Sequence, residues 1–128
     1  MQRATHHTLR ALSAALADLR LSAGEINALA NLDGRGALNV SQLSAATGTK
    51  PSTLTSILDR LEERGYLARE LDAQDRRSFR LVLTERGAVT ARRIGATIAD
   101  LESRALAGLS ASQLAGFHAV MSALEEAC

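Results

Sequence analysis

At 128 residues the chain is long enough for one domain with its own core, and 46% hydrophobic against 2% aromatic content means a core of Leu, Ala, Ile and Val, which favours packed helices over a sandwich or barrel. Cys128 is the only cysteine, which excludes an intrachain disulfide and fits a reducing cytoplasm. No apolar run approaches the ~20 residues that span a membrane, and no apolar signal segment follows Met1–His7, so export is not expected.

The net charge of +1 is unevenly spread. Between Thr49 and Arg93 ten basic residues face seven acids, a net of +3, whereas Ile94–Cys128 carries one base against four acids, a net of −3. A phosphate-binding middle with a separate assembly region would have this pattern, and so would ordinary surface variation.

Leu9, Leu12, Leu16 and Leu19 recur at three- and four-residue steps and predict a first helix from about Thr8 to Leu19. Ser22-Ala23-Gly24-Glu25 is a capping box that opens a second helix carrying Ile26, Leu29 and Leu32. Asp33-Gly34-Arg35-Gly36 is a turn with two glycines available for positive φ. Asn39, with Gln42 three residues on, caps a third helix with Leu43 inward and Gly48 at its left-handed end. Pro51 suits the first turn of a fourth helix that runs to about Arg64 and stops at Gly65.

Period-two alternation then predicts a hairpin of Tyr66–Leu71 and Ser78–Leu83, with Leu67 and Leu71 on one face of the first strand and Phe79, Leu81 and Leu83 on one face of the second. Thr84 caps a long fifth helix whose apolar positions are Val89, Ile94, Ile98, Leu101 and Leu106. A further capping box, Ser110-Ala111-Ser112-Gln113, opens a sixth helix. There Leu114, Phe117, Met121 and Leu124 follow a 3-4-3 spacing, which is a seam for another helix.

The fourth helix carries the first functional expectation. At 100° per residue Leu54, Ile57, Leu58 and Leu61 share the face to be buried. Ser52, Ser56, Asp59 and Glu63 lie opposite, flanked by Thr53, Thr55 and Arg60. The N-terminal half of that outer face is small, polar and free of acids, so it can press into a groove with hydroxyls directed at phosphates or base edges. It reads equally as a solvated helix face, which Asp59 and Glu63 would suit. The hairpin tip is more specific. Asp75, Arg76 and Arg77 sit where the strands reverse, and planar, weakly hydrated Arg suits a narrow electronegative minor groove. Asp75 is expected to hold the tip in shape through a carboxylate–guanidinium pair with Arg77. Exposed charge is ordinary at a hairpin tip, but this tip directly follows the groove-compatible helix. Helix, turn, helix and Arg-tipped hairpin together lay out a winged helix-turn-helix.

Three stretches then carry a resemblance: Leu58-Asp59-Arg60-Leu61-Glu62-Glu63-Arg64-Gly65-Tyr66-Leu67, Asp75-Arg76-Arg77-Ser78 and Leu83-Thr84-Glu85-Arg86-Gly87. With them the chain resembles the MarR family of transcriptional regulators: the end of the recognition helix, the Asp-x-Arg-Ser wing motif and the start of the long dimerisation helix. The resemblance implies a mainly α fold with a small β-hairpin wing, residues 1–128 forming one MarR-like domain. About 22–84 would be the winged-helix DNA-binding lobe, and about 1–21 and 85–128 the N- and C-terminal dimerisation helices. It implies a homodimeric regulator, commonly a repressor, on a pseudo-palindromic double-stranded DNA operator, often released by a small-molecule effector. Carried onto this chain, Ser52, Thr53, Thr55, Ser56 and Arg60 face DNA from the helix, with Lys50 at its start. Arg77 enters the minor groove and Arg76 meets a phosphate. Dimerisation falls to the seam of Leu114, Phe117, Met121 and Leu124.

The alternative is a winged helix kept as a protein-interaction or dimerisation module after DNA contact was lost, which the near-neutral charge and the acids Asp59 and Glu63 would suit. No cofactor, metal set or catalytic set is expected. His6 and His7 would point about 100° apart on a helix, His118 stands alone, and Cys128 follows Glu125 and Glu126, which disfavour a reactive thiolate.

Overall fold

The computed structural model describes residues 2–75 and 77–127, so Arg76 and Cys128, both singled out above, lie outside the described residues. In order, the elements are α1 (Gln2–Ala15), a 3-10 turn (Ala17–Leu19), α2 (Ala23–Leu32), β1 (Leu38–Asn39), α3 (Val40–Thr47), α4 (Pro51–Glu63), β2 (Leu67–Leu71), β3 (Phe79–Leu83), α5 (Glu85–Leu106) and α6 (Ala111–Ala127). The chain forms two compact units, Met1–Ile98 and Ala99–Cys128.

In the first unit, the expected boundaries hold where a cap fixes them. Ser22 and Glu25 exchange hydrogen bonds with each other's backbone amides at the start of α2, and Asn39 and Gln42 do the same at the start of α3. Both satisfy amides that a helix start leaves free. The first helix is a correction. It begins at Gln2 and ends at Ala15, after which the chain tightens to a 3-10 turn and leaves it through Arg20 at φ 53. Of its four leucines, Leu16 is buried, Leu12 and Leu19 are half-buried and Leu9 is exposed.

The sheet has three strands in the order β1-β3-β2 rather than a lone hairpin. Leu38 and Asn39 pair antiparallel with Leu81 and Arg80, and β2 pairs with β3 in the register Leu67↔Leu83, Arg69↔Leu81, Leu71↔Phe79. The two-residue β1 moors the hairpin to the residues that start α3. The core is a helical cluster under this sheet: Leu29 and Leu32 of α2, Leu43 of α3, Leu54, Leu58 and Leu61 of α4, Leu67 and Leu81 of the sheet, and Ala91 and Ile94 of α5. Val89 departs from expectation and is exposed. The buried side of α5 is Gly87, Thr90, Ala91 and Ile94, with Ile98 packed against the core.

The second unit consists of the last turns of α5, a turn closed by the Leu109 amide on the Leu106 carbonyl, and α6. Ser110 and Gln113 make the expected capping box. None of the described residues of α6 is buried.

Candidate nucleic-acid interface

The turn that presents α4 is built from short hydrogen bonds. Gly48 ends α3 in the left-handed region at φ 69, where only glycine is unstrained, and its amide donates to the Ser44 carbonyl at 3.0 Å. The Ser44 hydroxyl donates to the Thr49 carbonyl at 2.6 Å, and Thr47 Oγ1 donates to Leu43 while accepting the Thr49 amide at 3.2 Å. Pro51 then opens α4 at its first position. On the inner face Leu54, Leu58 and Leu61 are fully buried and Ile57 nearly so. At roughly 1.5–3 kcal/mol per buried aliphatic side chain, this row fixes which face turns outward.

The outward face is as expected: Lys50, Ser52, Thr53, Thr55, Ser56 and Arg60 are all exposed. Two of them are less free than the sequence suggested. The Thr55 hydroxyl donates to the Pro51 carbonyl at 2.9 Å, so it can accept but has no proton left for a phosphate. Arg60, 53% exposed, leans back with Nε 3.8 Å from the Glu25 carboxylate. Glu25 is itself buried and takes a hydrogen bond from Arg64 at 3.4 Å.

Arg64 and Arg86, both inside the stretches that carried the resemblance, serve the frame. Arg64 donates to the carbonyls of Arg20 at 2.9 Å and Leu19 at 3.0 Å, tying the end of α4 to the α1–α2 junction. Arg86 donates to the Arg64 carbonyl at 2.9 Å. Both guanidinium groups lie over the ring of buried Tyr66, at 5.4 and 4.5 Å.

Sequence reading missed Arg69. From β2 it donates to Asp59 at 2.8 Å and also pairs with Glu62, gathering two carboxylates of α4. Burial alone would depress its guanidinium pKa, but the hydrogen bond to Asp59 and the field of Glu62 outweigh that and raise it. The only signal in the sequence was an isolated Arg on the same strand face as Leu67 and Leu71.

The wing is held by its own backbone. The Asp72 amide donates to the Ser78 carbonyl and the Ser78 amide to the Asp75 carbonyl, both at 3.0 Å. The Asp72 carboxylate accepts the Gln74 amide at 2.9 Å. Asp75 accepts the Arg77 backbone amide at 3.0 Å, and its carboxylate has no ion pair with the Arg77 guanidinium among the described residues. Arg77 is exposed, and its guanidinium has no hydrogen-bond or ion-pair partner among the described residues. At the wing root Thr84 Oγ1 donates to the Gly65 carbonyl at 2.6 Å and accepts the Gly87 amide at 3.0 Å. In the second unit Leu114 and Leu124 are half-buried, while Phe117 and Met121 are exposed at 43% and 41%.

A hydroxyl-bearing helix set by a tight turn, followed by a sheet whose hairpin tip offers an unpaired arginine, defines a winged helix-turn-helix protein. Residues 21–79 match the sequence profile of the MarR family, and over 120 residues the chain is 35% identical to the HTH-type transcriptional regulator PecS of Dickeya dadantii, covering 91% of this chain and 72% of that protein: it belongs to the MarR family. The HTH-type transcriptional repressor Mb2911 of Mycobacterium bovis is 31% identical over 88% of this chain and 81% of its own length. Among solved structures, the PcaV transcriptional regulator of Streptomyces coelicolor, crystallised with its natural ligand, superposes with a TM-score of 0.79 at 26% identity, covering 98% of this chain and 89% of that one. The protein is a DNA-binding transcriptional regulator.

Proposed function

We propose that this regulator acts in the cytoplasm as a homodimeric repressor of a pseudo-palindromic double-stranded operator, without cofactor or catalytic activity. Each α4 enters a major groove through Lys50, Ser52, Thr53, Thr55 and Ser56, and each wing lays Arg77 into the adjoining minor groove. Arg60 swings from Glu25 to a phosphate. The exposed seam of Leu114, Phe117, Met121 and Leu124 pairs two copies, and a small molecule releases the operator. The observation that carries this reading is the division of charge around α4: the hydroxyl face and Arg77 stand free in solvent, while Asp59 and Glu62 are taken up by Arg69, which leaves Glu63, near the C-terminal end of the helix, as its exposed acid without an ion pair among the described residues. That division removes much of the repulsion a phosphate backbone would otherwise meet. Naming of a 31%-identical relative as a repressor supports the direction of control, and the ligand-bound state of PcaV supports an effector.

The test is selection of random duplex DNA on the purified protein, with the enriched sequence retested across a salt series. A two-fold-related motif with half-sites about one helical turn apart, bound with a steep salt dependence, is the expected result. Enrichment of no sequence, with only a stable protein partner recovered, would overturn it.

A further inference from the structure

The wing carries a bare hydrocarbon pair that its fold does not use. Leu71 and Phe79 face each other across β2 and β3 and are 63% and 47% exposed. Their face of the hairpin changes character along its length. At the root Leu67 and Leu81 are buried in the core. In the middle Arg69 reaches from the same face to Asp59 and Glu62 on the outer side of α4. Beyond the end of those ion pairs come Leu71 and Phe79, and Arg77 lies two residues before Phe79. The hairpin face turned toward the recognition helix therefore ends in two exposed apolar side chains beside the unpaired arginine.

We propose that Leu71 and Phe79 are specificity-determining contacts to the same duplex, packing against the deoxyribose rims of the minor groove that Arg77 enters. This rests on the DNA docking proposed above. The patch is continuous with both DNA-facing elements, because the Asp59–Arg69 pair joins the outer side of α4 to this face of the hairpin. Its charged neighbourhood also fits a polyanion. Arg77 lies two residues from Phe79 toward the tip, and the nearby acids Asp72 and Asp75 accept the amides of Gln74 and Arg77, which holds their carboxylates against the backbone. The groove walls supply C–H surface, and apolar side chains placed there respond to groove width and step flexibility rather than to base-edge hydrogen bonds.

Hydrocarbon contact displaces water but no counterion, which separates its signature from that of Arg77. On the selected operator, Phe79→Thr and Leu71→Thr, chosen because Thr retains strand preference, should together lower affinity on the order of tenfold. The slope of log affinity against log salt should stay unchanged. Arg77→Ala should lower affinity and flatten that slope by about 0.9, because one cation that displaces counterions from the duplex is withdrawn. Phe79→Leu, which keeps apolar surface, should retain most of the affinity. Melting followed by circular dichroism checks that each variant is folded, and Leu71→Thr alone, at the more exposed of the two positions, decides the matter if the pair is not. Unchanged affinity in the Thr variants beside a weakened Arg77→Ala would overturn the apolar contact alone. A change of oligomeric state with unchanged DNA affinity would overturn it in favour of a second copy of the chain as occupant. No effect of any variant, Arg77→Ala included, would overturn the docking itself.

Discussion

Arg69 shows how one residue can set the sign of a surface. Without it, Asp59 and Glu62 would present two carboxylates beside a helix that meets phosphates. With it they are paired, and the strand that carries the wing is tied to the helix it works with. Arg69→Met keeps much of the apolar stem and removes the cation. Operator affinity should fall by about 1 kcal/mol or more, read by fluorescence anisotropy. Adding Asp59→Asn and Glu62→Gln to that variant should restore most of the loss. A triple variant no better than Arg69→Met would show that the arginine acts by fixing the wing rather than by cancelling charge. Arg69 was not legible beforehand because its partners sit on the preceding helix, and only the register of β2 over α4 brings them together. Arg77 was legible, since a charge at a hairpin tip needs no distant partner. Arg60 illustrates the opposite failure: its helical position is right, but its neighbour Glu25 lies on α2, a contact that helical periodicity does not encode.

At the scale of elements, the caps were legible because each is written in four consecutive residues: Ser22 to Glu25, Asn39 to Gln42, Ser110 to Gln113. β1 was not, because two residues carry no alternation and the strand exists only through its pairing with Leu81 and Arg80. The junction of wing and α5 depends on a close approach that no local residue pattern signals. A Cβ on Gly87 would fall 1.8 Å from the Tyr66 carbonyl oxygen, an oxygen that already accepts the Thr84 amide at 3.1 Å. Gly87→Ala should therefore cost about 3 kcal/mol or unfold the first unit outright, seen in urea denaturation. Near-wild-type stability would mean that α5 can slide on the wing root.

A second tie between elements titrates. Arg93 of α5 donates two 2.7 Å hydrogen bonds to Asp18 in the 3-10 turn, and this bonding holds the Asp18 carboxyl below the usual carboxylate value. A depressed pKa means the pair's contribution is fully present above the ordinary carboxylate range and is lost as pH falls through the folded value. Asp18→Asn should thus melt below wild type at neutral pH and converge with it only once pH falls below the depressed folded value, where the Asp18 carboxyl is protonated and both side chains are uncharged. Because the pair is exposed, the gap should be small and should shrink in high salt. A gap that persists at low pH would show that the substitution acts through something other than the ion pair.

For the whole molecule, the second unit has little interior of its own. Phe117, Val120 and Met121 stand 43%, 58% and 41% exposed on a helix none of whose described residues is buried. The 3-4-3 spacing of Leu114, Phe117, Met121 and Leu124 was plain in the sequence, but a spacing names a face and not what covers it. A palindromic operator demands two recognition helices in fixed register, and a second copy of α6 would cover this face while supplying that register. Phe117→Asp combined with Met121→Asp would place two charges at the centre of such an interface and should weaken the dimer by on the order of a hundredfold or more. Sedimentation should show monomer where wild type is dimeric, and the melting temperature should lose its dependence on protein concentration. Since α4 and the wing are untouched, binding to a single half-site should persist while the advantage of the full palindrome disappears. A double variant that still sediments as a dimer and still prefers the full palindrome would place the assembly surface elsewhere, with the exposed Leu9 of α1 or Val89 of α5 as the next faces to charge.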